Sequence, residues 1–124
     1  MTQTAPMDIR IDPASPVPPY DQVRQRIAAL AADGTLPAGT RLPPVRTLAA
    51  DLHLAANTVA RAYRELEQAG LVQTRGRHGT VITARATGTS VQAQRAAQAN
   101  AEATRALGVP PQTALALVQA ALDL

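Results

Sequence analysis

The sequence predicts a mainly α-helical protein with one small β-hairpin: a three-helix core, the hairpin, and a two-helix tail. Three observations predict it. Apolar residues recur at spacings of three and four in three segments upstream of residue 70. Two β-prone runs flank Gly76-Arg77-His78. Gly108-Val109-Pro110-Pro111 then splits an alanine-rich C-terminal stretch into two helical lengths. At 124 residues the chain is of single-domain size. Alanine supplies 27 of its 57 apolar residues, and Phe and Trp are absent. A core of aliphatic side chains and methyl groups suits closely packed helices and works against a large ligand cavity.

Each element has its own signal. Residues 1–15 read as a flexible lead-in, with Ile9 and Ile11 alternating with Asp8, Arg10 and Asp12 as a short strand candidate. Four prolines between Asp12 and Pro19 make an extended approach, and Pro18-Pro19 suits a first helical turn. Tyr20, Val23, Ile27 and Leu30 then form one apolar face of a helix over about 19–33, closed by Gly34. After a Pro- and Gly-rich loop, Pro43-Pro44 opens a second helix with Val45, Leu48, Ala49 and Leu52 inward. A third runs over about 56–69, with Val59, Ala62, Tyr63 and Leu66 inward and Gly70 as its stop. The hairpin takes Leu71 to Arg75 and Gly79 to Thr83, residues 84–90 are a linker, and helices follow over about 91–107 and 111–123.

Composition excludes several chemistries. With no Cys there are no disulfides or thiolate metal sites. With no Lys there is no P-loop lysine, Schiff-base lysine or lysine base. Two histidines without companions at ligand spacing make no metal site. Glu65 and Glu67 are two apart and diverge on a helix, and neither Ser15 nor Ser90 has a His nearby. No catalytic residues, no metal and no cofactor are expected, so the chain does not read as an enzyme. No apolar run approaches a membrane span and no secretory signal opens the chain, so the expected location is the cytoplasm.

Charge is informative in its distribution. The net +3 concentrates in residues 41–85, where seven Arg face three acids, whereas residues 1–40 net −1 and residues 86–124 net zero. A basic middle third is the footprint of a nucleic-acid partner. Abundant Arg and Ala without Lys also suit a GC-rich genome. Three helices followed by a hairpin, with Arg in the third helix and at the hairpin tip, describe a winged helix-turn-helix over residues 16–84. Its helix-turn-helix occupies about 45–64 and its wing 71–83. Ala49 is small enough for close helix approach, His53 takes the tight turn where positive φ is needed, and Val59 packs beneath the next helix.

The run Leu36-Pro37-Ala38-Gly39-Thr40-Arg41-Leu42-Pro43-Pro44-Val45-Arg46-Thr47-Leu48-Ala49 resembles the GntR family of bacterial transcription regulators. Asn57-Thr58-Val59-Ala60-Arg61-Ala62-Tyr63-Arg64-Glu65-Leu66-Glu67-Gln68-Ala69-Gly70-Leu71-Val72 does so too, as do Thr74-Arg75, Gly79-Thr80 and the lead-in from Ile11 to Gln22. The likeness spans about 9–83, and the short tail is similar to the YtrA-like branch. The resemblance implies that Arg46 contacts DNA backbone and groove, that Asn57 and Thr58 lie near base edges and phosphates, and that Arg61 is a basic reader. It places Arg75 and Arg77 through Thr80, hence His78 and Gly79, in a wing that enters the minor groove. The sequence departs from the family at Ala55 and Pro44, where capping Ser or Asn is usual, and at Ala56 and Ala60, where some relatives carry Arg. Arg77 and Val81 replace the usual wing Gly and Phe.

Residue chemistry agrees with those roles. Asn meets adenine N6 and N7, and Arg meets guanine O6 and N7, in the major groove. A wing arginine suits a narrow minor groove, and Arg64 suits a phosphate. Blander readings stand beside these: Arg61 and Arg64 as a solvated face, Arg46 paired with Asp51 or Asp21, Tyr63 as core, His78 merely exposed. In the tail, Ala96, Ala99, Ala103 and Ala106, with Leu107 beside them, make one narrow stripe, and Leu115, Val118 and Leu122 a second. A partner chain is the expected cover for residues 91–124, with packing of one tail helix on the other as the alternative. The whole reads as a homodimeric regulator, expected to be a repressor, on double-stranded DNA carrying a palindromic operator. An architectural protein without sequence choice and a protein-interaction module are the alternatives. A small-molecule effector is left open, with no pocket evident.

Overall fold

Proline opens three of the helices in the computed structural model, which describes residues 7–88 and 91–124 apart from the side chains of His78 and Val91. It forms two compact units, Met1–Thr89 and Ser90–Leu124. In the first, α1 (Pro19–Ala32) starts at Pro18-Pro19 with Asp21 in its first turn, where a carboxylate complements the helix dipole. The second helix, α2 (Val45–Leu52), follows Pro44, and α3 (Ala56–Gln68) follows Ala55. Neither has a side-chain cap, as the Pro44 and Ala55 departures imply.

The core lies between α1 and α3, with α2 packed on α3. Val23, Ile27, Val59, Ala62 and Leu66 are fully excluded from solvent, and Leu36, Leu48 and Ala49 join them. Full burial of a Val, Leu or Ile side chain contributes about 1.5–3 kcal/mol. Tyr63 is the core's aromatic residue, as its helix position predicts.

The hairpin pairs β1 (Val72–Thr74) with β2 (Thr80–Ile82) in antiparallel register, Gln73 opposite Val81, around a single 3₁₀ turn at Gly76–His78. Val81 points inward and is buried. The outer edge of β2 is taken by the loop before α2. Gly39 N–H donates to the Ile82 carbonyl (2.8 Å), Ile82 N–H to Thr40 (2.9 Å) and Leu42 N–H to Thr80 (2.8 Å).

Two expectations are corrected. Residues 7–12 form no strand, although Ile9 is buried. Their backbone groups are met by side chains of α1: the Gln22 amide accepts from Asp12 N–H (2.8 Å) and donates to its carbonyl (3.0 Å), and Arg26 Nε donates to Asp8 O (3.1 Å). An extended segment laid over a helix buries alternate residues just as a strand does. The expected linker over 84–90 begins instead with a turn of helix, α4 (Ala84–Thr87). Thr83 caps it by accepting from Ala86 N–H, and Ala84 is buried. Residues 89 and 90 lie outside the described residues.

In the second unit α5 (Val91–Ala106) and α6 (Pro111–Ala121) meet around Gly108 and Pro110. A groove of about 310 Å³ between them is lined by Ala101, Thr104, Val109, Ala114, Leu115 and Val118. Ala96, Ala99, Ala103 and Leu107 are exposed. So are Leu115, Leu117 and Leu122, between 57% and 62%.

Ala55 occupies the N-cap of α3 with extended backbone (φ −66°, ψ 145°), the conformation a capping Ser adopts. Ala55→Ser is therefore expected to stabilise the protein by about 1 kcal/mol. In urea unfolding the midpoint should rise at constant slope; an unchanged midpoint would contradict the capping argument.

Candidate nucleic-acid interface

The interface is built outward from the α2–α3 turn. His53 sits in the left-handed region (φ 56°, ψ 42°), as the sequence predicts. Its conformation lets Leu54 N–H reach the Ala49 carbonyl (2.9 Å) and His53 N–H reach Ala50 (3.3 Å), the paired bonds of a helix C-terminal motif. Ala49 is buried at this crossing. Tyr63 then locks the angle from the other side. Its hydroxyl donates to the Pro43 carbonyl at 2.7 Å, and burial pushes its pKa up, so it stays a donor.

With the inner face of α3 committed to the core, Asn57, Arg61 and Arg64 share its outer face at spacings of four and three. All three are exposed, and Thr58 is half-buried at the helix start. Arg46 is exposed near the start of α2, and among the described residues it has no ion-pair partner. Asp21, one of its expected partners, pairs with Arg24 at 2.6 Å instead. Arg64 lines a shallow groove of about 210 Å³ with Val45, Ala60, Tyr63, Thr74 and Thr80, running between α2, α3 and the hairpin.

The hairpin is fixed to α3 by Glu67, whose Oε2 accepts from the Thr74 hydroxyl (2.7 Å) and Thr74 N–H (3.1 Å). Arg75 and Arg77 project from its exposed end, with Arg75 Nε donating to Gln73 (3.3 Å). Gly79 and Thr80 are half-buried at the return. The side chain of His78 lies outside the described residues. Gly79 has φ 69° and ψ −150°, a region reserved for glycine, and a Cβ there would sit 3.1 Å from Arg41 Nε.

Sequence reasoning missed three participants. Arg41 brings a further guanidinium against the wing at Gly79, visible only once the loop over 39–42 pairs with β2. Glu67 reaches Thr74 across a turn, which no helical spacing announces. Tyr20, read as part of α1's apolar face, is half-exposed and lies under the Arg61 guanidinium, 3.7 Å from carbon to ring centroid. Arg61 Nε also pairs with Glu65 Oε2 at 3.2 Å. The i,i+4 spacing of Arg61 and Glu65 is a legible signal for that pair.

Among the described residues no group of His, Cys, Asp or Glu could hold a metal ion, and no helix is long and apolar enough to cross a membrane. A helix-turn-helix with a basic outer face and a basic hairpin beside it defines a winged-helix DNA-binding protein. Residues 19–82 match the profile of bacterial regulatory proteins of the gntR family, and the chain belongs to that family of DNA-binding transcription regulators. It is 47% identical over 107 residues to the HTH-type transcriptional regulator Rv1152 of Mycobacterium tuberculosis, covering 86% of this chain and 88% of that protein. It is 40% identical over 84 residues to the HTH-type transcriptional repressor YtrA of Bacillus subtilis, covering 68% of this chain and 65% of that one. In structure it resembles YtrA from Sulfolobus acidocaldarius, a GntR-family transcription factor, with a TM-score of 0.59 and 30% identity over 81% of this chain and 97% of that one. These relatives are regulators, not enzymes.

Gly79 makes the wing's return testable. Gly79→Ala should lower stability by about 1–3 kcal/mol through backbone strain and displace Arg41. Denaturant unfolding reads the first effect, and wild-type stability in this variant would show that the return tolerates a side chain.

Proposed function

We propose that the protein is a cytoplasmic repressor that binds a palindromic operator as a homodimer. In this reading Asn57, Thr58 and Arg61 face base edges in the major groove, while Arg46 and Arg64 hold phosphates. Arg75, Arg77, His78, Gly79 and Thr80 line the wing in the adjacent minor groove. The observation that carries the reading is the outer face of α3: Asn57, Arg61 and Arg64 are exposed together on a helix whose inner face is wholly committed to the core. Asn and Arg are the side chains that discriminate adenine and guanine bidentately. Repression is supported by the relative that bears that name.

Residues 16–84 serve as the DNA-binding part and residues 91–124 as the dimerisation part. Support for the second role comes from Leu107, Leu115, Leu117, Leu122 and Leu124, large apolar side chains between 57% and 87% exposed. Such surface is covered by a partner more often than left in water. Ala96, Ala99 and Ala103 make a narrow face that admits close helix contact, and Val118 and Leu122 extend the apolar edge of α6.

Selection of bound duplexes from a random pool tests the core of the proposal. A repeated inverted sequence is expected, whereas binding without sequence preference would identify an architectural protein and absence of binding an interaction module. Replacing Arg75 and Arg77 together with Ala should weaken binding to all duplexes alike and flatten the salt slope by about one to two units per half-site, hence about two to four for the dimer on a full operator. A changed base preference with an unchanged slope would contradict their assignment to phosphate and minor groove.

Loss of residues 91–124 should leave a folded monomer, because Val23, Ile27, Leu48, Val59 and Leu66 all lie in the first unit. That monomer should hold a full operator ~10²-fold or more weakly than the intact protein, because linkage of two half-sites is lost. Sedimentation and titration of full and half operators measure both. A truncated protein that still sediments as a dimer would contradict the role of the tail.

A further inference from the structure

The Arg61 side chain is held before any DNA arrives. Its guanidinium lies over the Tyr20 ring of α1, and its Nε is anchored by Glu65 one turn along α3. We infer that Tyr20 and Glu65 are positioning residues for base reading, presenting the free edge of Arg61 to the major groove. The inference rests on the reading of Arg61 as a base contact.

The geometry of the two contacts supports it. Cation–π attraction acts on the face of the guanidinium, whereas its hydrogen bonds lie in its plane, so stacking on Tyr20 consumes no donor. The ion pair uses Nε. Among the described residues, the terminal amino groups have no protein partner. A fork of two such N–H groups is what meets guanine O6 and N7.

A long side chain immobilised at an interface normally gives up rotamer freedom on binding. Here part of that freedom is already lost in the folded chain. Arg61 is still 56% exposed, so the brace does not bury the group it orients. Tyr20 belongs to α1, and α1 supplies none of the proposed base contacts. Its effect on DNA must therefore pass through Arg61.

The test uses the full-length protein and two duplexes: one carrying the sequence it selects from a random pool, and one with that sequence scrambled. The variants are Arg61→Ala, Tyr20→Leu, Tyr20→Phe and the Tyr20→Leu/Arg61→Ala pair. Arg61→Ala should weaken the selected duplex. Tyr20→Leu should weaken it about two- to tenfold, leave the scrambled duplex unaffected, and cost nothing further once Arg61 is Ala. Tyr20→Phe, which keeps the ring, should bind as wild type. If Arg61→Ala weakens binding but Tyr20→Leu does not, or costs the same with or without Arg61, the positioning role is overturned while the base contact stands. If Arg61→Ala has no effect, the base contact falls and the positioning role with it. A second measurement needs no variant: in the nuclear magnetic resonance spectrum of the free wild-type protein, the Arg61 Nε proton should be displaced by the Tyr20 ring current. A resonance at the position of an unstructured arginine would overturn the brace.

Discussion

The basic outer face of the first unit depends on one apolar seam. Val23 and Ile27 of α1 meet Val59, Ala62 and Leu66 of α3, and none of the five retains any accessible surface. Because side chains on a helix repeat every 3.6 residues, committing that face of α3 determines which residues remain outside. Asn57, Arg61 and Arg64 are outside for that reason alone. A core without Phe or Trp suits closely packed helices, and Ala49 of α2 and Ala62 of α3 are small residues buried in it.

The wing depends on the same seam at one remove. Glu67 stands on the flank of α3 and grips Thr74, so the hairpin inherits its orientation from the helix. The loop over 39–42 closes the other edge of β2 and brings Arg41 to Gly79. Two of the acids in this region are occupied with positioning: Glu67 holds the hairpin and Glu65 holds Arg61. Arg46, Arg64, Arg75 and Arg77 are left with no carboxylate partner among the described residues, and a surface of unpaired guanidinium groups attracts a polyanion.

The fold was legible where the determinants were local. Spacings of three and four marked α1, α2 and α3, Pro-Pro marked helix starts, and His53 was readable as a positive-φ turn because Ala49 and Val59 framed it. Alternation at Ile9 and Ile11 misled, since an extended segment resting on α1 produces the same period as a strand. The four residues of α4 were too few to show a period, although Thr83 is a capping residue in plain view. At the interface, residue type and helical spacing sufficed to gather Asn57, Arg61 and Arg64 on one face. The contacts of Arg61 with Tyr20 and of Arg41 with Gly79 link residues 41 and 38 apart in the chain, and no local pattern encodes them.

The central claim is that the outer face of α3 reads base edges in two related half-sites while the wing follows the minor groove. Dimethyl sulfate interference on the selected duplex tests it directly, because the reagent marks guanine N7 in the major groove and adenine N3 in the minor groove. The account predicts that N7 methylation blocks binding in two clusters about 10 base pairs apart, or a multiple of that, centre to centre. Adenine N3 methylation should interfere beside each cluster. Binding indifferent to N7 methylation would contradict the account.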